Sequence, residues 1–470
     1  MKENSFNYLG KLYVWSIIFE PLLFFIVVGQ DVSGVGGNIG RLLQMVVILL
    51  LILTTLVGKE PSLKVPNPFY YHFRWYSAYL FASILAALYG IFSGAYEISS
   101  GITGEGAPGG VYFTGEGAVS SEDASILFRI LDSTWIRPLF EYFIAIYFFI
   151  YFVVLPQYLL NSRKAINYFF KVFFGMFFLS FFVGLIDFLL VITINYEWIP
   201  RHLSDFKHVG LRFHGLAGEP RDAFVYLIFG ICLIFLKEKW TGSFKGKRFW
   251  FVTIFLAALA TQSASGFIGL FLAIILMVIY LLPKLPMQSF LTMFATLFMI
   301  SILAVSAIMN SPRVLRYIEY VPIAIEAFQS GIDLPPIVET QRNNIYPIWI
   351  RWQDLMEVNL LPLFIGTGLG TASIANGYYI AEGGTLNPHA NFIRIAFEGG
   401  VMGLLLYIAA FLKPLKFLKP SKQDFHQLML FMLLILGSSF GHRSSTLYIF
   451  FGLVLLVFNY KRSNLEVKKI

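Results

Sequence analysis

The sequence predicts an all-α, polytopic integral membrane protein that forms a single domain over residues 1–470 and crosses the bilayer about twelve times. Hydrophobic residues make up 57% of the chain and charged residues 13%, against roughly 45–50% and about 25% in soluble domains. Apolar stretches of about 20 residues, the length of one membrane span, recur along most of the chain. The 50 Phe and 25 Tyr suit lipid-facing surfaces and interfacial belts. These observations exclude a water-soluble globule, a disordered chain and a coiled coil.

Each predicted span follows an apolar window bounded by charged or glycine-rich connections. The first, after Lys2 and Lys11, is longer than a signal-peptide core and lacks a small-x-small cleavage site, so we expect it to be retained. A polar interruption at 262–266 divides an apolar stretch of about 34 residues into two spans, because one helix of that length would overshoot the bilayer. The predicted spans are 12–29, 41–58, 75–96, 134–160, 168–194, 222–236, 249–264, 266–282, 288–309, 391–412, 426–441 and 445–460.

The basic residues predict a cytoplasmic N-terminus and, with an even number of spans, a cytoplasmic C-terminus. In this topology eighteen of the nineteen lysines lie inside, whereas twelve of the sixteen arginines lie outside. Arginine outside opposes the orientation rule, and its guanidinium binds phosphate and carboxylate through two donors at once. The alternative for any single arginine is loop capping or pairing with a local acid. Five histidines also fall outside: His202, His208, His214, His389 and His442.

Three predicted outer connections are long, at 97–133, 195–221 and 310–390. The 310–390 loop carries aromatic and proline residues, and we expect it to fold against the membrane as short helices. The loop at 97–133 contains GxGxxG at 104–109, which we reject as a nucleotide site because it precedes no helix in the right register. Its Thr-Gly-Glu-Gly-Ala sequence occurs at 103–107 and 114–118 and predicts flexible turns. The single cysteine, Cys232, excludes an intrachain disulfide.

The segment 385–403 holds the strongest chemical pattern. Asn387 is a good helix N-cap and Pro388 a good first helical residue, so His389 is predicted in the first turn of the tenth span, at its outer end. The positive end of a helix disfavours protonation of an imidazole, which would keep a neutral general base, and the same free N–H groups attract an anion. The alternative is an interfacial residue that only caps the helix.

Beyond His389, three polar residues of the same span share one helical face. Asn391, Arg394 and Glu398 are spaced i, i+3 and i+7, and Arg394 and Glu398 are four residues apart, at ion-pair spacing. Charged residues within a span usually face the interior of the bundle. Three further acids inside predicted spans, Glu20, Glu141 and Asp187, either mark an ion pathway or anchor the packing of the bundle.

Several motifs in order resemble the superfamily of bacterial O-antigen ligases and O-antigen polymerases. They are Arg212-Phe-His-Gly-Leu-Ala-Gly-Glu-Pro-Arg221, Arg351-Trp-Gln-Asp-Leu, the loop Gly366-Thr-Gly-Leu-Gly370, and His389-Ala-Asn391 followed by Glu398-Gly-Gly-Val-Met-Gly403. The resemblance covers residues 205–412. Many members carry an arginine in the outer turn between the two central spans, but here that turn is Gln-Ser-Ala-Ser-Gly at 262–266.

The resemblance implies a metal-independent, inverting membrane glycosyltransferase of the bacterial inner membrane that needs no cofactor. His389, Arg212 and Arg351 would be the catalytic residues: His389 would deprotonate an acceptor hydroxyl, and the arginines would stabilise charge on the leaving pyrophosphate. The pyrophosphate-binding set would be Arg212, Arg221, Arg342 and Arg351, and the supporting residues Asn391, Arg394 and Glu398.

The implied partners are an undecaprenyl-pyrophosphate-linked glycan donor, a lipid-linked glycan or lipid A core as acceptor, membrane lipids and a chain-length regulator, with no nucleic acid. A polymerase joining two lipid-linked repeat units is preferred slightly over a ligase, because the 310–390 loop is long enough to hold a second glycan. A third alternative, from the charged residues in the spans, is a flippase of lipid-linked oligosaccharide. Against it, the two halves of the chain show no repeat of the kind many transporters have.

Overall fold

A computed structural model shows a chain whose described residues are mostly helical. The structure describes residues 8–22, 39–56, 67–92, 111–114, 117–120, 136–194, 212–217, 220–263, 360–372, 391–417 and 445–467, and residues 196, 198, 322, 323, 326 and 356. The predicted spans at 266–282, 288–309 and 426–441 and most of the 310–390 loop lie outside these residues.

The described helices follow the predicted apolar windows with shifted ends, except for the short helix Leu361–Ile365, which lies in the predicted 310–390 loop. They are α1 (Tyr8–Phe19), α2 (Ile39–Leu56), α3 (Asn67–Phe92), α4 (Ile136–Phe148), α5 (Leu155–Leu159), α6 (Arg163–Ile194), α7 (Pro220–Thr241), α8 (Lys247–Ala260), α9 (Leu361–Ile365), α10 (Asn391–Phe417) and α11 (Ser445–Val467). A π-helical segment, Phe149–Val154, joins α4 to α5, and a 3-10 turn lies at Gly215–Ala217.

Four described helical segments are long and apolar enough to cross a membrane: Ile39–Leu56, Leu139–Leu159, Arg163–Ile194 and Arg394–Phe411. Helix α6 has 32 residues, or about 48 Å at 1.5 Å per residue, against a hydrocarbon core of about 30 Å. It is therefore longer than that core is thick.

Two elements differ from the prediction. The first helix ends at Phe19 rather than continuing through Glu20, because Pro21 disfavours helical geometry at the preceding residue and a turn follows. In the 97–133 loop, the expected flexible turn at 114–118 is instead the end of a hairpin, in which β1 (Val111–Thr114) pairs antiparallel with β2 (Gly117–Ser120). A short glycine-containing connection between two segments of strand-forming residues is a sequence signal of a β-hairpin.

Aromatic side chains fill much of the described core. Phe169, Phe173 and Phe177 recur every four residues along α6, and their rings stack at centroid distances of 5.9 and 5.7 Å. Phe173 also meets Phe229 of α7 edge to face at 5.4 Å. The i, i+4 spacing places these rings on one face of α6, and Phe173 joins that face to α7.

Candidate functional site

Arg212 lies at the turn that ends α8. Its Nε donates to the carbonyl of Thr261 at 2.8 Å and its Nη2 to the carbonyl of Gln262 at 3.0 Å. Both carbonyls lie just beyond the last residue of α8, where the helix offers no backbone N–H to bind them. Gln262 itself has a left-handed φ of 48°, so the predicted polar interruption does end the helix. The guanidinium of Arg212 thus reaches the 262–266 turn, where the resemblance leads one to expect an arginine from the turn itself.

Asp187 joins both ends of the 195–221 loop. Its Oδ1 accepts a hydrogen bond from the backbone N–H of Trp198 at 2.8 Å, and its Oδ2 lies 3.2 Å from Nε2 of His214. The side chains of His214 and Asp187 are 3% and 4% exposed. A carboxylate that contacts the beginning and the end of one loop holds that loop against α6.

The surroundings of His214 suit it to donating hydrogen bonds. Its Nδ1 lies 3.2 Å from the carbonyl oxygen of Gly215, which can only accept. The Asp187 carboxylate lies at Nε2, so each ring nitrogen has a protein acceptor within reach, whichever of the two carries the hydrogen. The arrangement therefore suits His214 for holding the loop rather than for taking a proton from a substrate.

The segment 212–217 packs deeply against α6. The Oγ of Ser180 accepts from the backbone N–H of Leu216 at 3.3 Å. Gly184 and Gly215 meet so closely that a Cβ at Gly184 would lie 2.6 Å from the Cα of Gly215. Only two glycines allow this approach, which places His214 beside the last third of α6.

A second buried unit forms where the glycine-rich loop meets helix α10. The N–H groups of Thr367 and Gly368 donate to the carbonyls of Phe397 and Glu398 at 3.0 and 2.8 Å. Helix α10 is interrupted at Gly400, which has φ 63° and ψ −173°. A side chain at Gly366 would collide with the backbone of Glu398 and Gly400. Two motifs that carry the resemblance, 366–370 and 398–403, are therefore in direct contact.

Arg394 lies between two buried acids in this unit. Its Nε donates to Oε1 of Glu398 at 3.0 Å, and its Nη2 is 3.4 Å from Oε1 of Glu141 on α4. The same Glu398 oxygen accepts from the N–H of Gly370 at 3.0 Å. Arg394 is 2% exposed and Glu398 is fully buried. The predicted pairing and inward orientation of Arg394 and Glu398 are confirmed.

For two other predicted site residues, the structure describes the backbone but not the side chain. Helix α10 begins at Asn391 and α7 at Pro220, so Asn391 and Arg221 lie in first turns, but their side chains lie outside the description. His389, Arg342 and Arg351 fall outside the described residues, as do the predicted cap Asn387 and Pro388.

The sequence did not predict the contacts of Glu20, Glu141 and Asp187, the three acids in predicted spans. It also did not indicate His214 as a site residue. Glu141 contacts Arg394, and Asp187 contacts His214. Oε2 of Glu20 accepts from Nε2 of Gln44 at 2.7 Å. An acid within an apolar span is a signal that a polar partner lies nearby, although the partner's identity depends on which helices are neighbours.

Among the described residues, no group of three or more His, Cys, Asp or Glu side chains could hold a metal ion. Comparison with known proteins adds no relative, since no family model matches the chain and no curated protein matches it significantly.

Proposed function

We propose that the chain is a membrane glycosyltransferase of the O-antigen ligase or polymerase type, acting at the outer face of the bacterial inner membrane. The observation that carries the proposal is the contact between the Gly366–Gly370 loop and the Glu398–Gly400 segment of α10. These motifs are 28 residues apart in sequence and form one buried unit, and His389 lies in the segment between them. That unit gives the beginning of the tenth span a fixed support on which a reacting group can be positioned.

The position of Arg212 gives independent support. Its guanidinium lies at the 261–262 turn, which is where the resemblance implies a cation. The Asp187–His214 contact and the two facing glycines hold the segment that carries Arg212. A cation held in this way needs no reorganisation when negative charge develops on a leaving group.

In the proposed reaction His389 accepts the proton of an acceptor sugar hydroxyl. The hydroxyl oxygen forms a bond to the anomeric carbon of the donor as the bond from that carbon to the pyrophosphate oxygen breaks, which inverts the anomeric configuration. Arg212 and Arg351, with Arg221 and Arg342, stabilise the departing undecaprenyl pyrophosphate. Because pyrophosphate is already a good leaving group, the reaction requires no metal.

Substitution of His389 tests the enzyme proposal. We expect His389→Ala to abolish transfer of glycan from a lipid-pyrophosphate donor by the purified, membrane-reconstituted chain, while expression and insertion persist. His426→Ala is the matched control, because the topology predicts that His426 lies on the opposite side. Normal transfer by His389→Ala would remove His389 as the base.

The banding of surface polysaccharide from a deletion strain separates polymerase from ligase. Chains limited to one repeat unit indicate a polymerase, whereas uncapped lipid A cores with accumulated carrier-linked glycan indicate a ligase. The buried acids Glu20, Glu141 and Asp187 keep a flippase as the alternative. Reconstituted protein that moves lipid-linked glycan between leaflets and forms no glycosidic bond would favour that alternative.

A further inference from the structure

An apolar groove follows the exposed face of α10 on the far side of the Gly400 interruption from Arg394. It has a volume of about 450 Å³, within the range of small-molecule and cofactor sites. Phe364 and Leu405 on its wall are 56% and 61% exposed. Its lining consists of apolar and aromatic residues from α3, α9 and α10: Trp75, Phe364, Val401, Met402, Leu405, Leu406 and Ala409.

The groove ends at a cation and an indole ring. Lys413, an exposed residue of α10, places Nζ 5.5 Å from the centre of the Trp75 ring. Arg74, the residue before Trp75 on α3, is also exposed. From Val401 to Lys413 the helix rises about 18 Å, so an apolar wall of that length leads to a positively charged end. Tryptophan and lysine are the residues that commonly mark the interface between lipid tails and headgroups.

The sequence that follows Lys413 is also rich in lysine. Lysines at 413, 416, 419 and 422 follow one another at intervals of three residues, and the lysine distribution predicts that they lie on the cytoplasmic side. A cluster of four or more basic residues directly cytoplasmic of a span attracts anionic lipid headgroups. The apolar wall and the basic end together are complementary to a molecule with a hydrocarbon chain and a negatively charged head.

We propose that this groove binds an anionic phospholipid of the cytoplasmic leaflet. One acyl chain lies along Val401, Leu405 and Ala409, and the phosphate lies against Lys413. The site is separate from the proposed catalytic region, which lies at the opposite end of α10, and it does not depend on the glycosyltransferase proposal. A lipid held between α3 and α10 buries apolar surface of both helices and stabilises their packing below the Gly400 interruption.

Native mass spectrometry of the full chain in mild detergent tests this site. The probes are phosphatidylglycerol and phosphatidylcholine with identical acyl chains. We expect the wild-type chain to retain phosphatidylglycerol preferentially and Lys413→Glu to lower that retention about 30-fold, since each basic residue near an anionic surface contributes about a factor of five. Leu405→Trp, which fills the groove, should lower retention of both lipids.

Lys239→Glu is the matched control. Lys239 Nζ also lies over an aromatic ring, 6.0 Å from the centre of Phe458, but it does not line the groove, so we expect wild-type retention. Helical circular dichroism and thermal midpoints show whether each variant is folded. Equal retention of the two lipids, or full retention by folded Lys413→Glu, would contradict the proposal. A polyprenyl phosphate copurifying in the groove, or a dimer that buries Leu405, would contradict it as well.

Discussion

Arg394 connects two helices through two different atoms of one guanidinium. Nε meets Glu398 on its own helix, and Nη2 meets Glu141 on α4. All three side chains are almost completely buried. Removing one member of a buried ionic group leaves the others without their counter-charge in a medium of low polarity, which is strongly unfavourable. At the scale of single residues, this cluster is therefore where we expect the largest effect of one substitution on stability.

We predict that Arg394→Met lowers the free energy of unfolding by about 3 to 5 kcal/mol, because both acids stay buried without the guanidinium. Lys247→Met is the control. Lys247 contacts Glu238 at 2.7 Å, but both side chains are about one-third exposed, so its loss should change stability by less than about 1 kcal/mol. Denaturant titration in detergent measures both variants. Equal effects would show that the buried cluster is not a special contributor.

At the scale of elements, the interruption of α10 is what allows the glycine-rich loop to contact the span. Gly400 adopts a left-handed φ of 63°, which costs an L side chain free energy that glycine avoids. A Cβ at Gly400 would also collide with the backbone of Phe364 at the end of α9. The break frees the carbonyls of Phe397 and Glu398 from the helix pattern, and the N–H groups of Thr367 and Gly368 bind them.

We predict that Gly400→Ala severely destabilises the chain, whereas Gly403→Ala is neutral or slightly stabilising. Nothing lies within 4 Å of a Cβ built at Gly403, and alanine is favoured over glycine in a helix by about 0.5 to 1 kcal/mol. Thermal unfolding of the two purified variants measures the difference. A Gly400→Ala protein as stable as the wild type would mean that α10 can become continuous without loss of packing.

Arg212 also acts between elements, because its side chain caps the end of helix α8. Its planar guanidinium binds two consecutive carbonyls, and an ammonium cannot reproduce that geometry. We predict that Arg212→Lys reduces glycan transfer nearly as much as Arg212→Ala. Arg248→Lys, at an exposed position on the same helix, should leave transfer unchanged. Glycan transfer assays on the reconstituted variants measure this, and full activity of Arg212→Lys would show that charge alone suffices.

At the scale of the whole molecule, the described charges separate along the helix axes. Asp187, Glu141 and Arg394 lie near helix ends that the topology predicts to be outer, whereas Lys237, Lys245 and Lys413 lie near ends predicted to be inner. These three predicted outer charges are buried and partnered, and the three lysines are exposed or half-exposed. This arrangement agrees with lysines that set orientation and with polar groups that hold the outer part of the bundle.

Cysteine labelling tests this arrangement. The native thiol, Cys232, is 1% exposed, so a Cys232→Ser chain is a suitable background. We predict that a membrane-impermeant maleimide added to intact spheroplasts labels Trp198→Cys and His389→Cys but not Lys245→Cys, which should react only after the membrane is opened. Labelling of Lys245→Cys in intact spheroplasts, or different compartments for 198 and 389, would contradict the predicted topology.

The amino-acid sequence determined the helical class, the apolar windows and the Arg394–Glu398 pair, because these follow from composition and from spacing within one helix. The end of α8 at the 262–266 interruption was equally readable, since polar residues and glycine end a helix locally. The structure decided which polar partner each buried acid meets: Arg394 for Glu141, His214 for Asp187, and the Gln44 amide for Glu20. It also decided the break at Gly400, because a left-handed glycine within an apolar span is favourable only when another segment packs against it. Spacing along a chain fixes neighbours within an element, whereas contacts between elements depend on packing that no local pattern specifies.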